Sequence, residues 1–192
     1  MQSEERNALR ASGISARDGL SPQQRDRFST SIAARICAAR VFRQAETILI
    51  YKGIRGEVRL EALEEAVRKD FAKKRLAYPL CISKTEMIAL QPLGEDAWKT
   101  GYCGIPEPVR EKSVEIRPEE IDLIICPCTV FDSQGGRMGM GAGFYDRYLS
   151  RCMNAHIAAV AFEAQKAERI PMEPWDRPME LVFTEKTVYG AV

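Results

Sequence analysis

IDLIIC (Ile121 to Cys126), GGRMGMGAGFYDRYL (Gly135 to Leu149) and IAAVAF (Ile157 to Phe162) follow one another along a chain of 192 residues, and their order decides the fold. The first and last are short apolar runs rich in branched side chains, and each predicts a buried strand. Between them, Pro127 leads into a glycine cluster, after which Tyr145, Tyr148 and Leu149 suit a helix. Strand, glycine loop, helix, strand is the pattern of an α/β unit on a parallel or mixed sheet.

Toward the N-terminus, Ser21, Pro22 and Gln24 supply an N-cap, a first-turn proline and a capping-box partner in the right order. They predict a helix over 21–42, with Phe28, Ile32 and Ile36 as its buried stripe. TILIY (47–51) predicts a strand, YKGIRG (51–56) a turn, and Leu60, Leu63, Val67 and Phe71 one face of an amphipathic helix over 58–74. Strands are expected at 75–80 and 87–90, a loop at GYCGIPEPV (101–109), and a separate short helix at Glu4 to Ala11. The expected fold class is therefore α/β: one domain over 1–192, an open mixed or largely parallel sheet flanked by helices in a Rossmann-like three-layer architecture.

Composition narrows the function classes. The chain is 45% hydrophobic, enough to bury one substantial core, and its 28 basic and 27 acidic residues nearly cancel. No strong overall field draws it to nucleic acid or to an anionic membrane, so an anion site must be local. The six cysteines lack CxxC spacing and read as reduced thiols. The charged start, with Glu4, Glu5, Arg6 and Arg10, lacks the apolar core of a signal peptide, and no run reaches membrane-spanning length. A cytoplasmic protein, monomeric or weakly dimeric, is expected. The single histidine, His156, has no metal-spaced partner and reads as structural.

Five glycines fall within nine residues at 135–143. Such a loop exposes backbone amides and lets the main chain approach a polyphosphate, with Arg137 supplying a full charge. It lacks the Gly-Lys-Ser/Thr ending of a P-loop and the uneven spacing of a dinucleotide fingerprint. From the glycines alone, a phosphate cradle and a tight connector stand equal.

The longer segment FDSQGGRMGMGAGFYDRYL, Phe131 to Leu149, resembles the signature of the 5-formyltetrahydrofolate cyclo-ligase (5,10-methenyltetrahydrofolate synthetase) family. RNALR, YKGIRGE, GIPEP and PWDRPMELVFTE follow the family's order along nearly the whole chain. The resemblance implies that Arg6, Arg10 and the run Arg137, Met138, Gly139, Met140, Gly141, Ala142, Gly143, Phe144 and Tyr145 hold ATP. It implies that Glu57, Met87, Phe144 and Tyr145 line a folate site, that Arg137 and Tyr145 serve catalysis, and that Asp146 and Asp176 bind Mg²⁺. The implied reaction converts 5-formyltetrahydrofolate, with or without a polyglutamate tail, and ATP into 5,10-methenyltetrahydrofolate, ADP and phosphate. The γ-phosphoryl activates the formyl oxygen, and N10 attacks the activated carbon.

Several positions depart from the family pattern. Arg6 stands for a lysine, Phe144 for a tyrosine, Met138 for a leucine, Ala142 for a glycine or basic residue, and Cys103 and Cys128 for other loop residues. Taken alone, Asp146 reads as a helix residue paired with Arg147, Asp176 as a turn former, and Glu57 as a carboxylate answering a helix dipole. Two other classes stay open. One is a non-catalytic folate- or nucleotide-binding protein. The other is a sugar-phosphate isomerase or acyl-transfer enzyme using Glu107 or Asp132 as base.

Overall fold

A computed structural model describes residues 2–101 and 104–190. In chain order its helices and strands are α1 (Gln2–Asp18), α2 (Pro22–Ala38), α3 (Arg40–Gln44), β1 (Thr47–Leu49), α4 (Glu61–Asp70), β2 (Arg75–Cys81), β3 (Met87–Pro92), β4 (Trp98–Thr100), β5 (Pro106–Pro108) and β6 (Ser113–Ile116). They continue with β7 (Leu123–Pro127), β8 (Val130–Phe131), β9 (Arg137–Met138), α5 (Phe144–Leu149), β10 (His156–Val160), β11 (Leu181–Phe183) and β12 (Val188–Gly190). Among the described residues no helix is long and apolar enough to cross a membrane.

Eight strands form one sheet in the order β12-β11-β10-β7-β1-β2-β3-β6. The five central strands pair in parallel, while β12 pairs antiparallel at one edge and β3 at the other, and β6 pairs antiparallel with β3 and so regains the central direction. Alternation along the strands builds two cores, because successive side chains point to opposite faces. Ile48, Leu123, Ile125, Ala158 and Val160 face α2, α3 and α4, in a core with Ile32, Ile36, Phe42 and Leu63. Leu49, Ile124, Cys126, Ile157 and Ala159 face the other way, onto Tyr148 and Leu149 of α5 and the segment with Cys152 and Met179. This is the three-layer α/β architecture that the sequence predicts.

Ser21 caps α2 through a complete capping box with Gln24, as expected. The helix does not run to residue 42, however. It breaks at Ala39, whose extended backbone (ψ 141°) separates α2 from α3. The stripe explains the break: another four-residue step beyond Ile36 would carry Arg40 into the core, whereas the new helix buries Phe42 and leaves Arg40 exposed. A side chain of Phe42's size contributes roughly 1.5–3 kcal/mol when buried.

The predicted helix over 58–74 is likewise shorter. The Val58 carbonyl accepts the Tyr51 hydroxyl (2.9 Å) and the Arg59 N–H donates to the Ser29 hydroxyl (3.0 Å), so these backbone groups are engaged elsewhere and α4 starts at Glu61. The passage 101–109 is not simply a loop, since β5 pairs with β4 through Trp98↔Pro108 and Thr100↔Pro106. Pro106 and Pro108 lie two apart, so both missing N–H groups fall on the edge away from β4, where a strand tolerates proline. Tyr102 and Cys103 lie outside the described residues.

The largest departure is at the start of the chain. The expected short helix at 4–11 is the 17-residue α1, which packs against β8. Gly13 permits the approach: a Cβ there would collide with the Thr129 carbonyl oxygen and lie 3.0 Å from Val130 Cβ. Arg6, Arg10, Gly13 and Arg17 share one stripe of α1 by their three- and four-residue spacing, so the helix delivers two arginines to the sheet's C-terminal edge.

Candidate active site

In strand order the parallel core reads 2-1-3-4-5, and β1 and β7 leave the sheet at its topological switch point. Open α/β sheets bind ligands in the crevice beyond the carboxyl ends of such strands. A cleft of about 630 Å³ lies there, within the range of small-molecule sites. Tyr51 and Lys52 enter it after β1, and Cys128 and Thr129 after β7. Gln165 fixes the floor by donating to the Cys128 and Thr129 carbonyls at 2.9 and 2.8 Å.

The chain after β7 turns sharply through β8 and β9. Asp132 anchors this hairpin by accepting N–H groups from Gln134 (2.8 Å), Gly136 (2.9 Å) and Ile170 (2.8 Å). Gly135, with φ +91°, sits where a Cβ would strike the Met179 carbonyl oxygen. Asp132 is therefore an anchor for backbone amides outside the cleft and not the base that an isomerase would need. Glu107, the other candidate base, does line the cleft.

The hairpin delivers Arg137 into near-complete burial. Its Nη2 donates to Asp146 Oδ1 at 2.6 Å and its Nη1 to the Pro127 carbonyl at 3.3 Å, and its guanidinium lies 5.9 Å from the Tyr145 ring centroid. Asp146 thus pairs with Arg137 and not with Arg147, which donates to the carbonyls of Thr85 and Ala142. Gly141 (φ +99°) and Gly143 (φ +69°) then bend the loop into α5.

Across the cleft, Arg6 Nη1 donates to Asp176 Oδ2 (2.7 Å) and to the Pro171 carbonyl (2.6 Å). Arg10 Nε donates to the Gly139 carbonyl at 3.2 Å. Burial and the neighbouring Arg6 pull the pKa of Arg10 down, while Asp176 and Asp146 oppose them. Three arginines and two aspartates therefore gather around the glycine loop, an arrangement suited to a polyanion.

Glu57 follows a tight turn in which Arg55 and Gly56 both take positive φ (47° and 78°). The Glu57 N–H closes the turn onto the Ile54 carbonyl at 2.9 Å, and its carboxylate accepts the Ile54 N–H at 3.1 Å. The carboxylate belongs to this turn, four residues ahead of α4, and does not answer that helix's dipole. Burial raises its pKa, opposed by the Ile54 N–H and by the charges of Arg17 and Arg55. Met87, paired with Cys81 across the β2–β3 ladder, and Phe144 line the same cleft. Among the described residues the buried Tyr145 hydroxyl has no hydrogen-bond partner, and burial pushes its pKa up, so it remains a donor.

Burial also pushes the Cys126 and Cys128 thiols up to about 12, which leaves them protonated at neutral pH and poor nucleophiles. His156 contacts Glu180 at 2.6 Å on the exposed start of β10 and takes no part in the cleft.

Every predicted site residue lines this one cleft: Arg6, Arg10, Glu57, Met87, the run 137–145, Asp146 and Asp176. Asp146 and Asp176 each engage one carboxylate oxygen with an arginine. Among the described residues no group of three or more His, Cys, Asp or Glu side chains gathers as a metal cage. Two carboxylates suit Mg²⁺ only where phosphate oxygens and water complete its shell, and this donor set fits that description. Sequence reasoning missed Tyr51, Lys52, Tyr78 and Trp175 as lining residues. Lys52 and Tyr78 meet at Glu64, at 2.5 and 2.7 Å, a contact that depends on the packing of α4 over β2 and is invisible in local spacing.

Comparison with known proteins identifies the family. The profile of the 5-formyltetrahydrofolate cyclo-ligase family matches residues 2–185. The chain belongs to the 5-formyltetrahydrofolate cyclo-ligase family. A 5-formyltetrahydrofolate cyclo-ligase from Haemophilus influenzae is 28% identical over 181 residues, covering 93% of this chain and 97% of the relative. The Escherichia coli K12 cyclo-ligase is 27% identical over 177 residues, covering 90% and 96%. The NMR structure of Aquifex aeolicus 5,10-methenyltetrahydrofolate synthetase superposes with a TM-score of 0.84 at 31% identity, covering 96% of this chain and 92% of that one. The cyclo-ligase match thus spans the cleft from Arg6 to Asp176.

Proposed function

We propose that this chain catalyses the ATP-dependent cyclisation of 5-formyltetrahydrofolate to 5,10-methenyltetrahydrofolate, releasing ADP and phosphate, as a single-domain cytoplasmic enzyme. The observation that carries the reading is convergence. Residues from five separate segments, namely Arg6 and Arg10, Glu57, Met87, Arg137 to Asp146, and Asp176, line one cleft.

The three arginines and the amides of the glycine loop hold the triphosphate, with Arg137 kept rigid by Asp146 and the Pro127 carbonyl. Asp146 and Asp176 would hold Mg²⁺ together with phosphate oxygens, and the ion supplies neutralisation of phosphate charge. Glu57 accepts N–H donors from the pterin edge, and Tyr145 offers its unpaired hydroxyl to the formyl end. Held in line, the formyl oxygen takes the γ-phosphoryl group as ADP leaves. The N10 amine then attacks the formyl carbon, loses its proton, and expels phosphate to complete the methenyl bridge. Alignment and charge stabilisation supply the rate, so no protein nucleophile is needed.

The test is the absorbance of methenyltetrahydrofolate. Product forming only when 5-formyltetrahydrofolate, ATP and Mg²⁺ are all present supports the reading; no product despite measurable folate binding would sink it.

A further inference from the structure

Among the described residues six large apolar side chains are strongly exposed, and two of them, Trp175 (70%) and Met140 (48%), line the same cleft. Single exposed apolar residues need no explanation, but two converging on one site mark a surface that something covers. Trp175 is also firmly held. The Asp176 N–H donates to the Glu173 carbonyl and the Glu173 N–H to Asp176 Oδ2, both at 2.9 Å, and Arg6 clamps that same carboxylate oxygen. Pro174 and Pro178 restrict the backbone on either side. The turn that carries Trp175 is thus fixed at the arginine end of the cleft, close to Arg6 and Arg10, and Met140 belongs to the glycine loop that lines the same cleft. Glu57 lies on a different segment of the lining, the turn after β1, where the neighbouring charges are Arg17 and Arg55.

We propose that Trp175 is the platform on which the purine of the nucleotide stacks, with Met140 closing over its edge, so that this tryptophan selects a purine triphosphate over a bare or pyrimidine one. The inference rests on the nucleotide reading of the cleft given above. A flat base covers both exposed side chains while its triphosphate runs along Arg6, Arg10 and the loop toward Arg137. A base–aromatic stack needs no hydrogen-bond code, and the larger face of a purine covers more of the ring than a pyrimidine does.

The chain has two tryptophans, so a Trp98→Phe variant reports Trp175 alone. Adding ATP with Mg²⁺ should quench its emission, whereas tripolyphosphate with Mg²⁺ should not. In steady state, Trp175→Ala should raise KM for ATP roughly tenfold to a hundredfold, the loss of one stacked base. The kcat at saturating ATP and the KM for folate should stay within twofold. Trp175→Phe should recover most of the affinity, and the preference for ATP over CTP should shrink in the alanine variant only.

Unchanged emission at saturating ATP, or an unchanged KM for ATP in Trp175→Ala, overturns the proposal. Quenching by folate alone also overturns it, because the ring would then belong to the other substrate. If the wild-type chain makes no methenyl product, the cyclo-ligase reading fails, while the quench by ATP but not by tripolyphosphate still decides the stack.

Discussion

Glu57 combines two demands that pull against each other. The proposed pterin contact is strongest with a charged carboxylate, yet burial raises its pKa. The folded chain therefore binds a proton at pH values where the unfolded chain has already lost it. The stability from this group is complete below the ordinary glutamate value, about 4.3, and declines as pH rises through the raised folded value. Glu57→Gln removes that titration while its amide oxygen can still accept the Ile54 N–H. Thermal melts should show the variant a few degrees more stable than wild type at neutral pH, with the difference vanishing near pH 4. The same change should lower kcat/KM for folate roughly tenfold to a hundredfold, the worth of one charge-assisted hydrogen bond. Equal melts at both pH values would show that burial does not burden this carboxylate.

α1 is an element whose role depends on a missing side chain. Alanine for glycine inside a helix ordinarily stabilises by up to about 1 kcal/mol. At position 13 the added Cβ meets the Thr129 carbonyl, and overpacking of this kind costs roughly 1–3 kcal/mol. Gly13→Ala should therefore lower the melting temperature by several degrees and raise KM for ATP, because the helix carrying Arg6 and Arg10 is pushed off the sheet. KM for folate should hold, since Glu57 and Met87 lie on other elements.

The sequence announced α2 through its cap, and β7 and β10 through their apolar runs. It did not announce the length of α1, because Arg6, Arg10, Gly13 and Arg17 carry no apolar periodicity; their stripe is polar and faces a site. Nor could local spacing show that β3 and β12 run antiparallel to the central strands, since strand direction follows from how the chain returns. The cleft was legible only where residues sit near one another in a motif. Lys52 escaped because its partner Glu64 is brought to it by the packing of α4, and Trp175 because the turn that carries it is held by Arg6 of α1.

At the scale of the whole molecule, the proposed nucleotide would bridge α1, the glycine loop and the turn that carries Asp176. ATP with Mg²⁺ at a hundred times its Kd should stabilise the fold by about 2.7 kcal/mol, or a rise of roughly 5–10 °C for a chain of this size. Chelating the metal with EDTA should erase most of that rise, because Asp146 and Asp176 would then face the phosphates without a cation between them. A full shift in EDTA would remove Mg²⁺ from the site.

The Arg6–Asp176 contact joins residues 170 apart in sequence. During synthesis, at roughly 5–20 residues per second, α1 leaves the ribosome some 10–30 s before its counter-ion is made. Through that interval the arginine helix has no aspartate to clasp and the cleft has no far wall. On the nucleotide reading, the nascent chain therefore gains this wall of the site only once Asp176 has been added.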